Sequence, residues 1–358
     1  MLIKIGITAI VAFAAVVSCK ENFVMNTWSG VFEDATAEAY RTLANGGSAL
    51  DGVENGCRIC ETEQCDTSVG YGNHPDTRSH TSLDAMIMDG DNFDVGSVGF
   101  IRKYRNAITL ARYVMVYTSQ TLLVGEGAEE FAQMVGFSED SATTSNTVSV
   151  YDAWRDANCQ PNFYENIPAA TSQCGPYHID PLPSSAVAKD SWQVNSTTVR
   201  VSGVGLRGGN EKLWAANRED HDTIGMITID SNGSLACGTS TNGANHKIAG
   251  RVGDSPITGA GCYADTTVGG CAATGDGDVM MRFLPAFYAV TLMESGQSPT
   301  QASQAAIRRI AKVFPTFSGA VVCVNTDLFH GGASNNMSFS YSYASDSSDG
   351  VQVVTVAE

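Results

Sequence analysis

The chain has 358 residues, 43% hydrophobic and 16% charged, with 21 Lys+Arg against 38 Asp+Glu for a net charge of −17. That length can bury a sizeable core, and the composition excludes a disordered chain and a polytopic membrane protein. So acidic a surface repels phosphate backbones, which argues against nucleic acid as a partner.

At the start, Lys4 precedes an apolar run from Ile5 to Val17, closed by Ser18-Cys19-Lys20. This is the pattern of a secretory signal peptide, read as residues 1–19. The run is shorter than the roughly twenty residues of a membrane span. Val16-Val17-Ser18-Cys19 also loosely fits a bacterial lipoprotein signal. Residues 33–61 read as two helices split at Gly46-Gly47, the second running from about Ser48. Asn106 to Met115 and Glu126 to Met134 carry apolar residues at helical spacing. Residues 140–220 turn polar and proline-bearing, which reads as a surface excursion, with 175–222 a flexible linker.

Beyond it, Thr223 to Ile229 and Leu235 to Thr241 read as strands joined by a turn at Ser231-Asn-Gly-Ser. A glycine-rich stretch, 250–277, shows little periodicity. Asp278 to Ser295 and Pro299 to Phe314 read as amphipathic helices. Strand-like runs lie near 319–325, 337–343 and 350–356. Strands and helices come in blocks, which favours an α+β fold with sheets packed together and helices outside.

A secretory route permits disulfides. Setting Cys19 aside leaves nine cysteines, an odd number, so at least one thiol stays free. Cys60/Cys65, Cys159/Cys174 and Cys262/Cys271 could each close a local loop. Cys57-x-x-Cys60 has no second ligand pair at zinc spacing, and the residues after Asp276 and Asp278 lack the acidic ligands of a calcium loop, so no metal is expected.

Four runs in the second half stand out together: Asp222-Thr223-Ile224-Gly225-Met226, Gly238-Thr-Ser-Thr-Asn-Gly243, Gly250-Arg-Val-Gly-Asp-Ser-Pro256 and Ala273-Thr-Gly-Asp-Gly-Asp278. Upstream stand Asn26-Thr-Trp28, Gly46-Gly-Ser-Ala-Leu-Asp51, Cys65-Asp-Thr-Ser-Val-Gly70, Leu83-Asp-Ala-Met-Ile-Met-Asp-Gly90 and Asn158-Cys-Gln-Pro161. In this order they resemble the glycosylasparaginase (aspartylglucosaminidase) family of N-terminal-nucleophile hydrolases, from about residue 24 to 340.

The resemblance implies a four-layer αββα sandwich made as an inactive precursor. The matching scission point is the Asp222–Thr223 bond, dividing an α chain (20–222) from a β chain (223–358). Inside a chain the Thr223 hydroxyl has no base of its own; scission gives it an α-amino group on the same residue. Such an amine has a pKa of about 7.7–8.0, so work in an acidic compartment requires that value to be lowered. Asp222 is expected to assist the scission, with His221 a bystander.

Other roles follow by resemblance. Arg251 and Asp254 match the residues that hold the α-carboxylate and α-amino group of a free asparagine unit, an Arg fork being suited to a carboxylate. Thr274 and Gly275 match an oxyanion hole. Thr241 matches a threonine that orients the nucleophile, Ser68 one that bonds near it, and Trp28 a residue at the pocket mouth. Position 303 is Ser where the family has a cysteine partner for Cys323, so that bridge is expected to be missing and Cys262/Cys271 to be a local addition. Asn195, Asn232 and Asn336 head glycosylation sequons.

The implied activity is hydrolysis of the N-acetylglucosamine–asparagine amide through a β-aspartyl ester on Thr223. No cofactor is expected. The implied assembly is a dimer of αβ units, and the implied site is the lysosome, or outside the cell or the periplasm. The rival reading is a plant-type L-asparaginase or isoaspartyl peptidase, which shares the Thr, Arg and Asp logic.

Overall fold

The structure is a computed structural model that describes residues 20–165, 167–178 and 223–357. Residues 1–19, Asp222 and most of the expected linker, 179–222, lie outside the described residues.

Strand β1 (Phe23–Asn26) leads into helices α1 (Glu33–Ala44) and α2 (Ala49–Glu63). The break at Gly46-Gly47 falls where expected. Ser48 caps α2 reciprocally with Asp51, satisfying two end donors. Helix α1 buries Ala35, Ala39 and Leu43, one per turn, against the sheet beneath. Then follow β2 (Leu83–Asp89), β3 (Val95–Ile101), α3 (Ala107–Tyr117), β4 (Leu122–Val124), α4 (Gly125–Met134) and α5 (Ser145–Asp156). Helix α5 corrects the reading of 140–220 as plain excursion. Its Thr144–Thr147 capping box was the available signal.

The second half opens with the expected hairpin, β5 (Ile224–Ile229) and β6 (Leu235–Thr241). The glycine-rich stretch is not irregular throughout: it carries β7 (Cys262–Asp265) and β8 (Gly269–Gly275). Their small residues hid the strand pattern. The helix expected over 278–295 is two helices, α6 (Gly277–Met280) and α7 (Pro285–Glu294), broken where Leu284 is left-handed at φ 48°. Helix α8 (Pro299–Ala311) and strands β9 (Gly319–Asn325), β10 (His330–Asn335), β11 (Phe339–Ser345) and β12 (Gln352–Val356) complete the fold. Of these, β10 was not foreseen.

The strands form two sheets. The larger has the order β12-β11-β1-β5-β6-β2-β3-β4, and the smaller β10-β9-β8-β7. One core lies between the large sheet and the helices α1 to α4, with Val53, Ile87, Ile108 and Met226 at its centre. A second lies between the sheets, around Met25, Met86, Ile227 and Val322. A third lies between the small sheet and α7 and α8, around Val290, Ile310 and Val321. Three cores separate four layers, which is the expected αββα sandwich. Every residue of β5 and β6 is buried because both faces of the large sheet are covered there.

Cys60–Cys65 and Cys159–Cys174 pair as expected, and Cys57 is a buried free thiol. The Cys262/Cys271 loop is corrected: the bridges are Cys237–Cys262 and Cys271–Cys323. The register explains it. Cys262 sits opposite Ala272 on β7 and β8, so Cys262 and Cys271 point to opposite faces. Cys262 enters the core between the sheets, where Cys237 on β6 meets it. Cys271 faces the helices directly opposite Cys323 on β9, so Ser303 does not cost Cys323 a bridge.

Candidate active site

Where β5 passes β8, the two sheets come unusually close. A Cβ at Gly225 would stand 2.9 Å from both the Ala272 Cβ and the Thr27 Cγ2. Glycine is what lets the start of β5 lie against the end of β8. Thr223, immediately before β5, is therefore held by both sheets.

Its amide N–H donates to the Thr274 hydroxyl at 3.0 Å. Its carbonyl accepts from the Thr27 hydroxyl at 3.0 Å and from the Trp28 indole N–H at 3.1 Å. Thr27 Oγ1 in turn accepts the Gly225 amide at 2.9 Å. The Thr223 Oγ1 accepts from the Ser255 hydroxyl at 3.4 Å. Because Thr274 Oγ1 accepts from Thr223, its own proton remains for a bond toward the cleft. Gly275, beside it, sits at φ 125°, and a Cβ there would meet the Gly319 backbone, so only glycine fits.

Five expected residues line one cleft: Thr223, Thr241, Arg251, Asp254 and Gly275, together with Ser255 and the glycines 243 and 253. Thr274 touches it through Thr223. Trp28 is half-buried and not among the lining residues; it donates to the Thr223 carbonyl and packs edge-on to Phe339. Thr241 and Ser68 are engaged with each other instead of with Thr223. The Thr241 hydroxyl donates to the Ser68 carbonyl at 3.2 Å and accepts the Gly243 amide at 2.9 Å. The Ser68 hydroxyl donates to Asp66 at 2.8 Å. Asp222 lies outside the described residues.

The other end of the cleft is charged. The Arg251 guanidinium donates from Nη2 to Asp278 at 2.9 Å and from Nε at 3.2 Å. Burial lowers its pKa, but the Asp278 carboxylate more than compensates and holds it above the ordinary arginine value. Asp254 is 4% exposed, and its Oδ2 has no hydrogen-bond partner among the described residues. Burial pushes its pKa up to about 7, against the pull of nearby Arg251. Such an atom lacks a donor, and an ammonium group would supply one. Beneath the loop, buried Asp84 accepts the amides of Phe100 at 2.8 Å and Gly253 at 3.1 Å. Lys247, also buried, donates to the carbonyls of Asn242 at 2.7 Å and His74 at 3.2 Å. Burial lowers its pKa to about 8.

Thr27, Ser255, Asp278, Asp84 and Lys247 were given no role at this site from sequence, Asp278 being weighed only as a calcium ligand. The first four lie inside the quoted motif runs, beside residues that were given one. Lys247 carried no signal of its own. Among the described residues no group of three or more His, Cys, Asp or Glu is placed to hold a metal ion, and Cys60 is committed to a disulfide.

Two facing sheets between helical layers, with a threonine leading a central strand toward a Thr-Gly pair, define a hydrolase of the N-terminal-nucleophile class. The chain belongs to the Asparaginase_2 family, described as asparaginase, whose profile matches residues 8–353. It is 46% identical over 315 residues to the N(4)-(β-N-acetylglucosaminyl)-L-asparaginase of Mus musculus, covering 88% of this chain and 84% of that protein. It is 45% identical over 307 residues to a putative N(4)-(β-N-acetylglucosaminyl)-L-asparaginase of Drosophila melanogaster, covering 84% and 73%. A probable isoaspartyl peptidase/L-asparaginase of Arabidopsis thaliana is 40% identical over 357 residues, covering 99% and 96%.

Proposed function

We propose that this chain cuts itself between Asp222 and Thr223 and then hydrolyses the N4-(β-N-acetylglucosaminyl)-L-asparagine linkage. The carrying observation is the placement of Thr223: nitrogen on the Thr274 hydroxyl, carbonyl clamped by Thr27 and Trp28, hydroxyl open to a cleft whose far end is Arg251 and Asp254.

In the precursor the Thr223 hydroxyl attacks the Asp222 carbonyl. The C–N bond breaks and its nitrogen gains a proton, so the Thr223 amine is freed as the ester forms; water then splits the ester, restoring the Thr223 hydroxyl and leaving the Asp222 carboxylate. In the cut enzyme Arg251, its Nε–Nη2 edge held by Asp278, offers its remaining N–H donors to the substrate α-carboxylate, and Asp254 accepts from its α-ammonium group. The Thr223 amine takes the hydroxyl proton as Oγ1 attacks the side-chain amide carbon. Thr274 and Gly275 donate to the oxyanion. The glycosylamine leaves with the proton, and water then hydrolyses the β-aspartyl ester to aspartate. The 1-amino-N-acetylglucosamine loses ammonia spontaneously. No step needs a cofactor.

Arg251 and Asp254 demand a free amino-acid end, because a peptide bond at either group would remove its charge. The likeness to the mouse and Drosophila proteins supports the sugar-linked substrate. The likeness to the Arabidopsis protein, which spans 99% of this chain, favours a second reading, an L-asparaginase or isoaspartyl peptidase. Side-by-side turnover of GlcNAc-Asn and β-aspartyl dipeptides decides between them: faster release of the sugar supports the first, faster dipeptide cleavage the second. The signal-like residues 1–19 support a secretory route ending in the lysosome, with two αβ units assembling. Among the described residues no helix is long and apolar enough to cross a membrane.

A further inference from the structure

We propose that Ser255 is a catalytic residue, whose hydroxyl donates to the nucleophile oxygen and so directs the Thr223 proton to the Thr223 amine. This deepens the reading above and rests on Thr223 being the nucleophile.

Ser255 is 1% exposed and lines the cleft directly after Asp254. Its backbone is fixed by the Thr239 hydroxyl, which donates to the Ser255 carbonyl at 2.7 Å. Its own hydroxyl lies 3.4 Å from Thr223 Oγ1. Neither oxygen has another hydrogen-bond partner among the described residues. The contact expected from Thr241 is thus made by Ser255, since the Thr241 proton goes to the Ser68 carbonyl.

The direction of the bond matters. A hydroxyl has one proton and two lone pairs. When Thr223 Oγ1 accepts from Ser255, one lone pair is used and its own proton is left to face the α-nitrogen. As that proton moves to the amine, negative charge grows on Oγ1, and the same Ser255 bond strengthens toward it. The remaining lone pair forms the bond to the amide carbon. When the ester is hydrolysed, Oγ1 is the leaving oxygen, and Ser255 stabilises it again. The Thr223 amine carries every transferred proton, from Oγ1 to the leaving glycosylamine and then from water back to Oγ1, so Ser255 keeps its own proton and ends each cycle as it began.

The test compares Ser255→Ala and Ser255→Thr with the natural chain, in the self-cut enzyme, on GlcNAc-Asn. Ser255→Ala should lower kcat by about 10- to 100-fold, the worth of one bond to a charged oxygen, and leave KM within about a factor of two. Ser255→Thr, which keeps a hydroxyl, should recover most of kcat. Precursor scission uses the same oxygen, so its rate in Ser255→Ala should fall in parallel while the melting temperature holds. Unchanged kcat and scission in Ser255→Ala, a loss carried wholly by KM, or equal loss in both variants would overturn the assignment. Thr223→Ala serves as the control: turnover surviving there refutes the nucleophile itself, whatever Ser255 does.

Discussion

The two ends of the cleft are built by opposite means. Around Thr223 every contact is neutral and reciprocated: amide to hydroxyl, hydroxyl to carbonyl, indole to carbonyl. Around Asp254 the groups are charged and buried, and one carboxylate oxygen has no partner. The first end is finished before substrate arrives. The second lacks a donor, which in the proposed function the substrate supplies. Pre-set neutral dipoles suit bond making, because they need no reorganisation when charge develops. An unsatisfied buried acid suits recognition, because the ligand that supplies the missing donor gains most.

This contrast can be broken at either end. The largest effect is expected at Thr223, the proposed nucleophile. Thr223→Ala should abolish both scission and turnover, read by gel and by sugar release. At the other end, Asp254→Asn should raise KM by about 10- to 100-fold while moving kcat much less, the loss of one charge-assisted bond. An equal fall in kcat would mean that the charged end takes part in bond making.

Acid should sharpen the difference further. Burial raises Asp254 to about 7, so its carboxyl is neutral below that pH in the free enzyme. KM should therefore rise as pH falls from about 7, and Asp254→Asn should flatten that limb. A smaller effect belongs to the clamp. Trp28→Phe removes one neutral bond to the Thr223 carbonyl and should cost kcat about three- to tenfold, with KM nearly unchanged.

The smallest effect is on stability. Glu61 on α2 is buried, accepts from the Ser240 hydroxyl beside Thr241, and is pushed by burial up to about 8. An acid whose folded pKa is raised favours the fold fully below its unfolded value, and that contribution is lost as pH rises through the folded value. For Glu61 and Asp254 the window runs from about 4 to about 8, and Lys247, lowered to about 8, stays charged through most of it. The melting temperature should decline across this window, and Glu61→Gln should flatten the decline. A flat profile in the natural chain would contradict the raised pKa values.

How far the sequence could be read follows from the same geometry. Helices α1, α2 and α8 were legible because one apolar stripe per helix faces one core. The hairpin β5–β6 was legible from its turn at Ser231-Asn-Gly-Ser. Strands β7 and β8 were not, because Gly269, Gly270 and Ala272 carry no periodic bulk: the opposing sheet crowds Gly270 and Ala272, and the neighbouring strand β9 crowds Gly269. The disulfides depended on the register of β8 against β7 and β9, which no spacing along the chain encodes. Thr223, Arg251 and Asp254 were singled out because they sit in recognisable runs, and the structure brings them to one cleft. Thr27 and Ser255 sit in the same runs, but their contacts with Thr223 appear only when β1, β5 and the loop before β7 converge.

Mass spectrometry of the purified, denatured protein, with amino-terminal sequencing of its fragments, tests the self-cutting threonine most directly. Two chains are expected, the smaller beginning Thr223-Ile224-Gly225, in step with the appearance of sugar-releasing activity. Full activity from a single uncut chain, or from chains divided at some other bond, would contradict it.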